Sequence, residues 1–293
     1  MLHQSPNILA EIMTMSNLPV YPVPVSLSPS RVSSFQECAL KFRFSSIENL
    51  PQPPGIHAVK GNVVHRALEL LMALEPKERT ASAAHECMVL ARAEYETVYD
   101  FTGLNLSPAQ SAKFWDECSA LIDGYLTMED PTTIKDIEME LWVETPLEGF
   151  SIRGYIDRLE RDQDGNLVIT DYKTGRSPYN KSNEDSKMRQ LEMYAYMIRA
   201  IRGELPATLQ LLYIKDGVRL TRVPTEQSMK FVAIRTSAMY KAIENACNTG
   251  IFPTKKSGLC NFCAYKPWCP EFGGDPTKAA AEAPVIYADA IKK

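Results

Sequence analysis

Gly154-Tyr155-Ile156-Asp157 and Ile169-Thr170-Asp171-Tyr172-Lys173-Thr174-Gly175 are the two runs whose reading decides the fold. Each lies in a segment of strand character, 150–161 and 166–174, and Asp164-Gly165 supplies the tight turn that joins them as a hairpin. Side chains alternate along a strand, so Asp171 and Lys173, two apart, share a face. Asp157 on the neighbouring strand reaches that face where the register allows. Two carboxylates and an ammonium at a strand end form a compact site for a hard divalent cation. Mg²⁺ takes oxygen ligands at about 2.1 Å and keeps several waters, so a few carboxylates suffice. Such an ion lowers the pKa of water and offsets charge growing on a phosphate. Lys173 is then placed to hold or activate the attacking water and to steady the transition state. Read alone, the hairpin is better taken as an ordinary surface turn with a cross-strand Asp–Lys pair, because Asp and Lys are common near turns. The apolar Leu167, Val168 and Ile169, which bury the start of the same strand, set it apart.

Working outward, 61–74 is predicted helical because Val64, Ala67, Leu68 and Leu71 recur at i, i+3, i+4, i+7. His65 lies on that helix, where a neutral imidazole can serve as a metal ligand. Two more helices are expected over 81–99 and from Ser107, where Pro108 and Gln110 complete a capping box. The stripe Phe114, Cys118, Leu121, Ile122 and Tyr125 marks the second as core-facing. A strand over 137–144 precedes the hairpin. After it come a helix over 185–202 stopped by Gly203, a second hairpin turning at Asp216-Gly217, and a long helix over 225–248. Gln190 and Tyr194, four apart, share one helix face and can hydrogen-bond a phosphate or base beside the metal. A short helix over 28–45 carries Cys38. Residues 1–27, with Pro19, Pro22 and Pro24, are expected to be a flexible leader, and 274–293, rich in Ala and Lys, a mobile tail.

The 293 residues are 45% hydrophobic and 23% charged, which excludes global disorder. No apolar run of about 18 residues is present, which predicts no membrane span. The first residues lack a basic stretch followed by an apolar one, which points to the cytoplasm. The net charge of −4 hides an asymmetry: 174–256 holds 14 Lys and Arg against 7 Asp and Glu, and the remainder 18 against 29. That basic section can follow a phosphate backbone. No G-x-x-x-x-G-K-[ST] run occurs, so no ATP-driven motor is encoded in these residues.

Cysteines carry a second signal. Cys260-x-x-Cys263-x5-Cys269 supplies three thiolates within reach of one centre, suited to Zn²⁺ or an iron–sulfur cluster. A fourth ligand must come from Cys38, Cys87, Cys118 or Cys247. The last three lie in apolar helical patterns and read as buried small residues.

Taken together these residues resemble the PD-(D/E)XK nuclease superfamily, in particular its RecB-like exonuclease branch. The G-x-x-x-H setting is matched by Gly61 and His65, G-x-I-D by Gly154, Ile156 and Asp157, D-Y-K-T-G by Asp171 to Gly175, and Q-x-x-x-Y by Gln190 and Tyr194, in the family's order. The early cysteine at Cys38 with the late three is similar to the AddB and CRISPR-associated RecB-like exonucleases, with Ala39 where those often have Pro.

The resemblance implies an α/β (α+β) fold, a mixed central sheet flanked by helices in a restriction-endonuclease-like core. The nuclease domain would span 28–273, with a helical insertion over 80–130 and a cluster-binding part at 38 and 260–269. It implies Mg²⁺ or Mn²⁺ held by His65, Asp157, Asp171 and the Tyr172 carbonyl, with Lys173 as the catalytic lysine. It implies a 4Fe-4S cluster on Cys38, Cys260, Cys263 and Cys269, and DNA positioned by Gln190 and Tyr194. Arg176, Lys181, Lys187 and Arg189 follow Lys173 closely and are expected to contact phosphates, while Tyr172, Tyr179 and Tyr194 are expected to stack unpaired bases. The activity so implied is metal-dependent exonucleolytic hydrolysis of DNA, on single strands or at ends, in recombination, repair or DNA processing. The rival readings are a non-catalytic DNA-binding scaffold and a nuclease subunit that works beside a helicase or the CRISPR adaptation proteins.

Overall fold

The computed structural model describes residues 20–291. Its centre is a six-stranded mixed sheet in the order β1-β3-β4-β5-β6, with β2 on the free edge of β3. The strands are β1 (Ser26–Leu27), β2 (Lys135–Leu147), β3 (Phe150–Arg161), β4 (Leu167–Lys173), β5 (Thr208–Tyr213) and β6 (Val218–Arg222). The hairpin β3–β4 is antiparallel, and β4 and β5 run parallel, as a helical crossover between them requires.

The helices match the residue patterns. α1 (Pro29–Glu37) and α2 (Ala39–Phe42) are separated by Cys38, which is extended at φ −166° and breaks the single helix expected over 28–45. α3 (Ile56–Met72) begins five residues before the expected start at 61 and carries His65. α4 (Ala81–Tyr95), the short α5 (Tyr99–Thr102) and α6 (Pro108–Met128) occupy the stretch 80–130. The Ser107–Gln110 capping box starts α6, and its apolar stripe is buried against α3 and α4 around Tyr172, Leu212 and Ile214. Each large apolar side chain so buried stabilises the fold by roughly 1.5–3 kcal/mol. α7 (Lys181–Arg202), ended by Gly203 at φ +72°, and α8 (Glu226–Thr249) cover the other face with Met188, Leu191, Met197 and Ile243.

Two expectations at the chain ends are corrected. Residues 1–19 of the expected leader lie outside the described residues. Residues 20–27 are not loose: the Tyr21 N–H donates to Cys247 O, and β1 pairs with β3. The expected mobile tail instead folds: α9 (Ala279–Ile286) buries Ala279 and Ala283 against Leu40, Phe44, Tyr265 and Trp268. Small side chains let the helix approach closely, and the Trp268 indole N–H donates to Glu282.

The sheet forks at β3. β1 pairs with its first residues, Ser151 and Ile152, and β4 with its last four, Arg158 to Arg161, on the same edge. Asp157 stands at the opening between them.

Candidate active site

The fork places the acidic hairpin. Where the β3–β4 ladder ends, the Tyr172 N–H has no strand partner on that side and donates to Asp157 Oδ2 at 2.9 Å. His65 comes in from α3: its Nε2 donates to the Tyr172 carbonyl at 2.9 Å, and its Nδ1 lies 3.4 Å from Asp157 Oδ2. The Asp157 carboxyl is pushed up to about 7 by burial and by the nearby Asp171 charge, against the pull of His65 and Lys173.

Asp171 is buried. Its Oδ1 accepts from Gln190 Nε2 at 3.2 Å, and Lys173 Nζ lies 2.6 Å from Oδ2. That Oδ2 is thus paired with the ammonium. Burial disfavours the Lys173 ammonium, yet Asp171 beside it raises its pKa above the ordinary value. Lys173 is therefore a cation at neutral pH.

The residue patterns did not reveal Glu140. His65, Asp157 and Glu140 on β2 have ligand atoms all within 4.8 Å of one another. Glu140 sits at φ +46°, in the left-handed region that a non-glycine residue adopts at a cost of order 1–3 kcal/mol. Burial raises its carboxyl pKa, with His65 opposing. Nothing in a strand's residue pattern signals such a backbone turn. The donor set, one imidazole with the Glu140 and Asp157 carboxyls, fits a hard divalent cation, and Asp171, paired with Lys173, lies outside that cluster.

The linkage is testable. A carboxyl raised in the folded state contributes stability that is fully present below its ordinary value of 3.8 and is lost as pH rises through about 7. A divalent cation competes with that proton, so its apparent affinity should rise about tenfold from pH 6 to pH 8. Asp157→Asn should raise the melting temperature of the metal-free protein at pH 8 and remove any further rise on adding Mn²⁺. Calorimetric melting across that pH range checks both, and an unchanged melting temperature at pH 8 would count against the raised Asp157 carboxyl.

The remaining expected residues separate. Arg176 is exposed in a groove with His57, Lys60 and Lys215 against α6. Lys187, Arg189 and Gln190 line a different groove with Gln36, Lys41 and Lys255. Lys181 is exposed but ion-paired with Glu184. Tyr172 and Tyr194 are corrected: at 1% and 6% exposed they cannot stack bases, whereas Tyr179 is 88% exposed. Tyr194 packs beneath β3, where a Cβ on Gly154 would come within 2.9 Å of its ring. That contact explains glycine at this point.

The four cysteines meet in one cavity. Cys38, Cys260, Cys263 and Cys269 all line it together with Lys41, Lys255 and Lys266. Burial, and secondarily the neighbouring cysteines, raise the Cys263 and Cys269 thiols, though a Tyr265 or Glu271 backbone N–H pulls against this. Cys87, Cys118 and Cys247 are buried elsewhere.

A family model for the PD-(D/E)XK nuclease superfamily matches residues 26–270. The Gene 69 protein of Mycobacterium phage D29 is 29% identical over 137 residues, 46% of this chain and 48% of that protein. The match thus spans about half the length of that curated relative. The crystal structure of a candidate exonuclease from Eubacterium rectale superposes with a TM-score of 0.54 at 9% identity, covering 90% of this chain and 93% of that one. At that identity the likeness concerns the fold, a mixed sheet flanked by helices. Among the described residues no helix is long and apolar enough to cross a membrane.

Proposed function

The chain belongs to the PD-(D/E)XK nuclease superfamily, and from that premise we propose that it is a metal-dependent DNA exonuclease of the RecB-like type. Its substrates on this reading are single strands or DNA ends, in recombination, repair or DNA processing. The observation that carries the reading is the convergence of His65, Glu140 and Asp157, with Lys173 against Asp171 beside them.

His65, Glu140, Asp157 and Asp171 would hold Mg²⁺ or Mn²⁺, as would the Tyr172 carbonyl once His65 turns from it. Such an ion supplies Lewis-acid charge at the phosphate and a water of lowered pKa. The chain's own groups then divide the remaining work. Lys173, beside Asp171, is placed to orient that water and to offset the charge growing on the phosphate oxygens. Gln190 fixes the Asp171 carboxylate, and the Tyr172 N–H fixes that of Asp157, so neither ligand must reorganise during the reaction. Arg176, Lys187 and Arg189 lie on the surface beyond, where they can take phosphates of the bound strand. The test is degradation of 5′- and 3′-end-labelled single- and double-stranded oligonucleotides with and without Mn²⁺. Progressive, metal-dependent loss from one end is expected, and binding without cleavage would leave a scaffold in its place.

The cysteine cavity is read as the seat of a structural 4Fe-4S cluster. Cys38, Cys260, Cys263 and Cys269 line it together, a four-thiol set that suits such a cluster. Four thiolates around such a cluster leave net negative charge, which Lys41, Lys255 and Lys266 offset. The centre would fasten Cys38 to the C-terminal turns and close the domain's two ends. Protein purified without oxygen should hold about four iron and four sulfide per chain, and Cys263→Ser should lose both. Stoichiometric zinc without sulfide would remove the assignment.

A further inference from the structure

Burial takes Tyr172 and Tyr194 out of contact with substrate, and a different aromatic pair stands open beside the site. Trp142 on β2 and Tyr155 on β3 are register partners, 45% and 53% exposed. Their ring centroids are 4.9 Å apart with the planes inclined at 59°. Opposed residues of an antiparallel pair project from the same face. Alternation along β3 buries Ile152, Gly154 and Ile156 and leaves Arg153 and Tyr155 in solvent, on the side of Asp157. Tyr155 is therefore one side-chain repeat from Asp157, about 7 Å along the strand. Trp142 stands two residues from Glu140 in the same way. Arg153 continues the row, its guanidinium 5.7 Å from the centre of the Trp142 ring. Its register partner Glu144 is held by the Ser151 hydroxyl and keeps its own charge beside Arg153.

We propose that Trp142 and Tyr155 are a stacking platform for unpaired bases of the strand being cut, with Arg153 facing the neighbouring phosphate. The inference rests on the nuclease reading above and adds the form of the substrate: single-stranded DNA at the point of cleavage. Stacking on an aromatic side chain contributes about 1–3 kcal/mol per base whatever the base, because each has a π-face. A base inside a duplex has both faces covered by its neighbours and gains nothing from these rings. The arginine suits a polyanion and repels a cationic partner. The inclined planes leave an open ring face on each residue, and adjacent nucleotides leading from the carboxylate site reach them in turn.

The tryptophans make the test direct. Of the three, Trp115 and Trp268 are 4% and 2% exposed, so solvent-exposed emission reports Trp142. In a Lys173→Ala background with Mg²⁺, a single-stranded oligonucleotide should quench that emission, and an abasic oligonucleotide of equal length and charge should not. Trp142→Ala with Tyr155→Ala should weaken single-strand affinity about tenfold and leave duplex affinity unaltered, while Trp142→Phe with Tyr155→Phe retains binding. Equal quenching by the abasic strand, or equal weakening for duplex, overturns the platform. So does an unquenched Trp142 in a protein whose Lys173-containing parent cleaves DNA. A parent that cleaves no DNA overturns instead the nuclease reading beneath it.

Discussion

Lys173→Ala lowers the single-turnover rate of phosphodiester cleavage by about a thousandfold or more, while oligonucleotide binding stays within about twofold of the parent. The magnitude comes from removing a preorganised charge at a site shielded from water, where one such group is worth about 10²–10³ in rate, together with the group that orients the nucleophile. On the proposed reading binding survives, because the phosphates are taken elsewhere, by the exposed Arg176, Lys187 and Arg189. The ammonium also neutralises Asp171 at 2.6 Å, so the substitution leaves that buried carboxylate freer to take a cation. Metal affinity should hold or rise as the rate falls. Lys173→Arg keeps a charge but not its point geometry and should recover little. Quench-flow with end-labelled DNA, paired with fluorescence anisotropy, separates the two effects. Parental cleavage by the alanine variant would remove Lys173 from the reaction.

Arg158→Ala destabilises the fold by about 3–5 kcal/mol, because it strips the cation from a buried ion network, leaving Glu160 without its ion-pair partner and Glu129 with Arg219 alone. Arg158 is fully buried and donates to Glu129 at 2.8 and 3.0 Å, to Glu160 at 3.2 Å and to the Tyr172 hydroxyl at 2.7 Å. Thr170 completes the group, held by Gln210 at 2.6 Å. For a domain of this size the loss corresponds to about 10 °C in melting temperature. Replacing Arg158 with Met while converting Glu129 and Glu160 to Gln should cost far less, since no naked charge then stays inside. Denaturant unfolding of the two variants is the check, and equal losses would show that packing alone explains the single change. The network bears on the site through Tyr172. Its hydroxyl is fastened to Arg158, and its backbone, on the reverse side, meets Asp157 and His65. Loosening one end of that tyrosine shifts the carbonyl and N–H at the other.

How far the residues alone could be read varied with how local each feature is. The β3 strand was predicted at its observed limits because its burial alternates and Asp164-Gly165 closes the turn. The α6 start was legible in Ser107, Pro108 and Gln110, since a capping box is satisfied within four residues. The α3 start was missed: His57 and Lys60 lack the apolar spacing, and the helix runs through them because Val59, Val63 and Val64 are buried on its core side. The tail was misjudged for a similar reason. A run of alanines has little pattern of its own, and only the floor of Phe44, Tyr265 and Trp268 gives α9 something to pack on.

The candidate site divides along the same line. Asp157, Asp171 and Lys173 announce themselves through position on a strand and apolar neighbours, which are properties of adjacent residues. That much, with the alternation of strands and helices, the order of residues specifies without help. Glu140 enters through a left-handed backbone turn inside β2. Tyr194 is withdrawn from base stacking because its ring fills the space at Gly154, and Trp142 meets Tyr155 only through the β2–β3 register. Cys38 joins the late cysteines by the same kind of long closure. Such meetings depend on how sheet and helices pack, a balance of burial and chain entropy summed over the whole molecule, and no short stretch of residues contains it.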